Sequence, residues 1–397
     1  MKSGSAVALK KRVYDNMNMK IEDETVKIKE EVGRGTRGGP YVYVVEGNEL
    51  IHINEYASRK LPGKYEDEVI YEVPKNKLVG KIIYCFEFSR SGGEFLIKCK
   101  IDDFEDGRPK RYEYYESLRK RIHDIHHLKF RVRDPALISL LTQFDQLFIP
   151  IIRDIKEYEN IQNFKISFMG HQARLENAFR NPKLYYFTFM SLPRDKSRIN
   201  SLKVTRRWLY QLWVLKLLCE ALKVSKFKGH EYEGEPYWWI EQGSDFSTGV
   251  GETPFGDITF WLEYQPEDFW SEYRSDKWRY RSQGIYTGKV GLNRPDIVVV
   301  KGYFERTTDF IDSKKPIDLI IECKEDPFSK WENEINSQIL PYQKTFRPRN
   351  FLVVSLESVP QRIKKNLETH EIKVIDNLKP SSDNLKTLYN VVEKVFE

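Results

Sequence analysis

Cysteine is scarce in this chain, with four in 397 residues. None stands in a CxxC pair or at Cys/His zinc spacing, which argues against a zinc module and a cysteine-bound iron–sulfur cluster. Cys85 and Cys99 lie symmetrically about Gly92 in a predicted hairpin. That leaves a cross-strand disulfide open beside buried thiols, and thiols suit an intracellular protein. No apolar run approaches about twenty residues, so no membrane span and no membrane partner are expected. The opening MKSGSAVALKKR lacks the apolar core and cleavage site of a secretory signal, which predicts a cytoplasmic location. The glycine-rich GRGTRGGP is followed by no GK[ST], so it is not a phosphate loop, and any translocation along a substrate needs a partner ATPase. Histidine is also sparse: His123, His126 and His127 share helical spacing, but no Cys or carboxylate framework supports a metal role.

What the chain has in quantity is aromatic and charged residues. Hydrophobic content of 40% and aromatic content of 14% indicate a folded protein, and the length allows two or three domains. The net charge of +6 permits a nucleic-acid partner. Residues 1 to about 39 form a polar lead. YVYVVEG, ELIHINEY, EVIYEV, KIIYCFEFS and EFLIKCKI alternate like strands, with RSGG as a tight turn, and predict an antiparallel sheet or barrel over about 40–104. Arg119, Lys120 and Arg121 fall on a helix near Tyr112, Tyr114 and Tyr115, a mixture that suits phosphate contact and base stacking or a plain solvated face. Residues 134–181 carry apolar residues at helical spacing and read as a connector. The domain boundaries expected are a β-rich module over 1–128, a helical connector over 129–200 and an α/β module over 201–397.

The α/β module opens with the strongest helical pattern, SLKVTRRWLYQLWVLKLLCEALKV, whose Trp and Leu residues nearly encircle it and predict burial. GDITFWLEYQ reads as a strand with Asp257 at its start. The insertion 266–294 interleaves Arg274, Lys277, Arg279 and Arg281 with Tyr273, Trp278 and Tyr280, as a backbone-contacting loop does. Two short β-branched runs follow, RPDIVVVKG and PIDLIIECKEDP, each with acids at its polar end. Alternation puts Ile320, Glu322 and Lys324 on one face. If the Asp296 strand pairs alongside, Asp296, Glu322 and Lys324 converge at one sheet edge. Two carboxylates there suit Mg²⁺ or Mn²⁺, a lysine suits developing negative charge, and the Cys323 carbonyl is a further candidate ligand. Asp257 competes with Asp296, which is preferred because its strand directly precedes Glu322. Trp331, Ile335, Gln338 and Tyr342 then share a helical face that Pro341 interrupts. Strand and helix alternate to the end of the chain, predicting a mixed or partly parallel sheet.

Pro295-Asp296 followed by Glu322-Cys323-Lys324 resembles the signature of the PD-(D/E)xK nucleases, and Gln338 with Tyr342 resembles the QxxxY extension of RecB-like members. Tyr210-Gln211-Leu212-Trp213 is similar to the Tyr-Glu-x-Trp helix of McrC-type restriction components, with Gln211 where the glutamate stands. Glu220 is the alternative helix acid, or else the ion-pair partner of Lys216. The resemblance covers the C-terminal half. It implies a restriction-endonuclease-like mixed sheet flanked by helices, and a Mg²⁺- or Mn²⁺-dependent endo- or exodeoxyribonuclease serving restriction, defence or repair. It implies Asp296 and Glu322 as metal ligands, Lys324 as the catalytic group that positions the nucleophile or neutralises developing charge, and Gln338 and Tyr342 as substrate contacts. Nucleic acid, DNA above RNA, is the expected partner, with a partner ATPase or a homo-oligomer compatible. The absent helix glutamate and Pro341 support another class, a nuclease-fold nucleic-acid-binding or scaffolding protein that no longer cuts.

Overall fold

The computed structural model describes residues 20–22, 24–31, 38–88, 94–105, 108–115, 117–168, 173–232, 234–240, 246–264 and 294–397. Most of the polar lead, the RSGG turn and the basic-aromatic residues of the 266–294 insertion lie outside them. The described chain is mixed α/β and divides into two compact units. Unit 1 is 1–140 with 177–202, and unit 2 is 141–176 with 203–397. The 129–200 segment expected as a connector is therefore shared between the units.

Unit 1 is built on β1 (Lys20–Glu22), β2 (Thr25–Glu31), β3 (Gly38–Glu46), β4 (Glu49–His52), β5 (Arg59–Pro62), β6 (Glu68–Pro74), β7 (Ile82–Phe88), β8 (Glu94–Glu105), β9 (Arg108–Tyr115) and β10 (Lys129–Phe130). They join one sheet in the order β5-β6-β2-β3-β7-β8-β9, with β1 on β2 and β4 between β3 and β10. The sheet exceeds the expected 40–104 at both ends. In β2 the alternation is real but contains only Val26 and Ile28 as inward apolar residues, and the third inward position is Glu30. Glu30 is fully buried; it accepts the Val42 amide at 2.8 Å and lies 3.2 Å from His52 Nε2. A carboxylate is tolerated in that core because its oxygens are satisfied there. Tyr112, Tyr114 and Tyr115 lie on β9, and Arg119, Lys120 and Arg121 are exposed on the helix Leu118–Ile125. His123, His126 and His127 are exposed. Cys85 faces Ile97 and Cys99 faces Ile83 across β7 and β8, so the two cysteines are not opposed.

In unit 2, β11 (Lys165–Phe168), β13 (Glu231–Tyr232) and β14 (Glu235–Ile240) make a small sheet. The main sheet contains β12 (Lys226–Lys228), β15 (Gly249–Thr253), β16 (Gly256–Leu262), β17 (Ile297–Lys301), β18 (Leu319–Lys324), β19 (Asn350–Ser355) and β20 (Ile372–Ile375). Its order is β12-β15-β16-β17-β18-β19-β20. Pairing is antiparallel from β12 to β18 and parallel from β18 to β20. The change of sense requires a crossover after β18, which the helical stretch Phe328–Phe346 provides. All six residues of β18 are buried, so it is an interior strand of the sheet rather than an amphipathic edge.

The long helix is Asp195–Ala221, beginning before the expected Ser201. Charged residues fill its first turns, which hides the start from hydrophobic periodicity. Leu209, Leu212, Trp213, Leu215 and Leu218 are buried as expected. Trp213 Nε1 and Lys216 Nζ both donate to Asp154, at 2.7 and 2.9 Å, so the helix Ile149–Ile161 packs beside it. The run Pro135–Ile161 has a window of mean hydropathy 1.4 and meets the length and composition of a membrane-spanning helix, contrary to the run-length expectation. Ile151, Ile152, Ile155 and Tyr158, in its second half, are buried.

Candidate active site

Antiparallel pairing brings three strand ends together. Leu262 faces Ile297 across β16 and β17, and Ile297 faces Ile321 across β17 and β18. The residue after β16, the residue before β17 and the end of β18 therefore meet at one edge. Those residues are Glu263, Asp296 and Glu322, all buried to within 3%. The Glu263 amide donates to the Asp296 carbonyl at 2.7 Å. The Asp296 amide lies 3.4 Å from Glu322 Oε2. Strand pairing stops at Ile321, and the next N–H on that side, that of Cys323, donates to Asp296 Oδ2 at 2.7 Å.

Lys324 lies on the Glu322 face of β18, two residues on, as the alternation predicts. Its Nζ donates to Glu322 Oε1 at 2.8 Å and to Glu334 Oε2 at 2.6 Å. Burial and the Asp296 charge push Glu322 up to about 7, against the opposing pull of Lys324. Burial works against the Lys324 charge, but Glu322, Asp296 and Glu334 outweigh it and hold the ammonium above its ordinary value. Two strongly raised groups in one centre are characteristic of chemistry-bearing sites and of structural ion-pair networks alike.

The long helix covers this edge with Arg207 and Gln211, one turn apart. Arg207 lies 3.0 Å from Asp296 Oδ1 and 3.2 Å from Glu263 Oε1. Gln211 Nε2 donates to the same two oxygens, at 2.6 and 3.0 Å. Asp296 is the main cause of the raised Arg207 basicity. Burial raises Glu263, offset chiefly by Arg207. Arg294 Nε is 2.5 Å from Glu263 Oε2.

The structure thus brings Asp296, Glu322, Cys323, Lys324 and Gln211 together, and it leaves Glu220 and Asp257 out. Glu220 pairs with Lys216 at 2.7 Å and accepts from Tyr389 Oη at 2.6 Å. Asp257 pairs with Lys228 at the opposite end of β16. Glu220→Gln is therefore expected to leave any activity of this centre within about twofold of wild type, since it is outside hydrogen-bond reach of the centre; initial rates check this. It is Cys323's amide that reaches Asp296, and its thiol is buried.

The helical face predicted around Pro341 is continuous through Tyr342. One wider turn at Ile335–Ile339 precedes the proline, which then occupies the first turn of Leu340–Phe346, where its missing N–H costs little. Gln338 is half-buried on the wide turn. Tyr342 is buried, and its hydroxyl accepts from the Arg294 amide at 3.2 Å and donates to the Arg294 carbonyl at 3.3 Å. It fixes the approach to Pro295-Asp296. Tyr342→Phe removes both bonds and is expected to cost about 1–2 kcal/mol, measured by urea unfolding.

Glu263, Arg207 and Glu334 escaped the sequence pattern. Glu263 lies outside its strand at a positive φ of 53°, and only the β16–β17 register ties it to Asp296. Among the described residues, no group of three or more His, Cys, Asp or Glu side chains stands in metal-ligand geometry. The carboxylates are instead tied to Arg207, Gln211, Lys324 and the Cys323 amide. One fully buried oxygen in the centre nonetheless accepts no hydrogen bond among the described residues, Gln211 Oε1, while Glu263 Oε2 is held by Arg294. A hard cation with oxygen ligands fits that donor set. No protein-family model, curated protein or solved structure matches this chain.

Proposed function

We propose that the chain is a metal-dependent nuclease that hydrolyses phosphodiester bonds in DNA, of the PD-(D/E)xK type with a restriction-endonuclease-like module in unit 2. The observation that carries this reading is the meeting of Asp296 with Glu322 and Lys324, 26 and 28 positions further along the chain, at one end of two neighbouring strands. Asp296 and Glu322 would hold the cation, whose chemistry there would be to polarise the scissile phosphate and lower the pKa of a bound water. Lys324, held in place by Glu322 and Glu334, presents positive charge where the pentavalent phosphate develops negative charge. The Cys323 amide and Tyr342, through Arg294, hold Asp296 in position. Nucleic acid is the partner, Mg²⁺ or Mn²⁺ the cofactor, the cytoplasm the location, and restriction, defence or repair the setting.

A second reading is favoured by one observation: Gln211 stands where the resemblance expects a glutamate, and Arg207 neutralises the acids. On that reading the module binds nucleic acid or scaffolds a partner without cutting. Plasmid and single-stranded DNA incubated with Mg²⁺, Mn²⁺ or EDTA separate the two. Cleavage that requires the cation supports the nuclease; tight binding of intact DNA in all three conditions supports the scaffold.

A further inference from the structure

The centre holds one more carboxylate than the signature supplies. Glu263 Oε1 and Asp296 Oδ1, from adjacent strand ends, are close enough to share two donors, Arg207 and Gln211 Nε2. Two oxygens converging on common points from different strands are the arrangement that a hard cation bridges. The independent mark is Gln211 itself. Its side chain is fully buried, its amide lies against both acids, and its Oε1 accepts no hydrogen bond among the described residues. A half-turn about the last side-chain bond exchanges Nε2 for Oε1 and presents a third oxygen to the same place.

Charge decides which group must leave. Asp296, Glu263, Glu322 and Glu334 face Arg207, Lys324 and Arg294, so a dication added to the intact network would be opposed by all three cations. The Arg207 side chain is 42% exposed, against 20% for Arg294 and 8% for Lys324. Of the three cations Arg207 is therefore the most exposed among the described residues, and its charge is solvated at the least cost.

We propose that Glu263 is the third carboxylate of the cation site, and that Arg207 holds the cation's place in the cation-free protein and is displaced when the ion binds. The proposal rests on the nuclease-type reading of this centre. It predicts opposite signs for two neighbouring substitutions that a purely structural ion-pair network would both render harmful.

Mn²⁺ titrated into the full-length protein, with bound ion read by electron paramagnetic resonance, tests this without any cleavage. Wild type is expected to bind one ion. Glu263→Gln, close to isosteric, is expected to bind about tenfold or more weakly, and Arg207→Gln about tenfold more tightly. Arg207→Lys keeps the charge without the planar fork and should fall between wild type and Arg207→Gln, with circular dichroism reporting the fold. Glu263→Gln binding like wild type while Asp296→Asn loses the ion would remove Glu263 from the site and leave the nuclease reading standing. Unchanged or weaker binding by natively folded Arg207→Gln and Arg207→Lys would remove the displacement. No Mn²⁺ on wild type or on Arg207→Gln would overturn this proposal and the cation-dependent reading together.

Discussion

Lys324→Met is expected to lower metal-dependent DNA cleavage by about two to three orders of magnitude, the usual loss when one donor aimed at transition-state charge is removed. The side chain is close in length and apolar, so packing survives. The ammonium is held by two carboxylates, Glu322 at 2.8 Å and Glu334 at 2.6 Å, which fixes its position before any substrate arrives. Stability should also fall, because Glu322 loses its counter-charge in a buried setting. Breaking a buried pair costs about 3–5 kcal/mol in the worst case. Here Glu322 is already pushed up to about 7 by burial and by Asp296, so uptake of a proton near neutral pH limits the loss. Single-turnover rates and a urea melt on the same preparation separate the two effects. A variant that cuts at the wild-type rate would show that Lys324 takes no part.

Glu30→Ala is expected to destabilise unit 1 by about 3 kcal/mol. The carboxylate is fully buried between Val26, Ile28 and the neighbouring strands, where the Val42 amide donates to it at 2.8 Å. Alanine leaves that amide without an acceptor, leaves His52 Nε2 without its 3.2 Å neighbour and opens a cavity. Glu30→Gln keeps an acceptor for Val42 and should recover more than half of the loss, at about 1 kcal/mol per restored bond. Chemical denaturation followed by tryptophan-independent far-ultraviolet dichroism measures both. Because Glu30 lies in a different unit from the acidic centre, the cation-binding stoichiometry of folded Glu30→Gln should stay at the wild-type value.

The C-terminal sheet was legible because its strands are short β-branched runs with polar ends, and both Asp296 and Glu322 sit at such ends. The Glu322–Lys324 pair needed only the two-residue repeat of a strand. Glu263 was not legible: the register that sets it beside Asp296 joins strands separated by a long insertion, and no local pattern reports that pairing. Arg207 was hidden for a different reason. The Trp and Leu residues around it mark the helix as buried on nearly all sides, so hydrophobic periodicity does not say which turn faces the acids. In unit 1, β2 carries four outward Lys and Thr or Glu positions against two apolar inward ones, and it reads as polar lead. β9 reads as a basic stretch, since Arg108–Tyr115 has three cations and three tyrosines within eight residues. In both strands, pairing with neighbours supplies what composition withholds.

The nuclease assignment stands on Asp296 acting through a cation rather than merely closing an ion-pair network. Asp296→Asn keeps the shape of the side chain and an oxygen for the Cys323 amide while removing the charge. Initial rates of plasmid cleavage in Mg²⁺, compared between this variant and wild type with matched circular dichroism, test that point most directly. A folded variant with cleavage reduced by about a hundredfold or more, beside a wild type silenced by EDTA, is the predicted result. Equal rates for the two proteins, or wild-type DNA left intact in Mg²⁺ and Mn²⁺ alike, would contradict it.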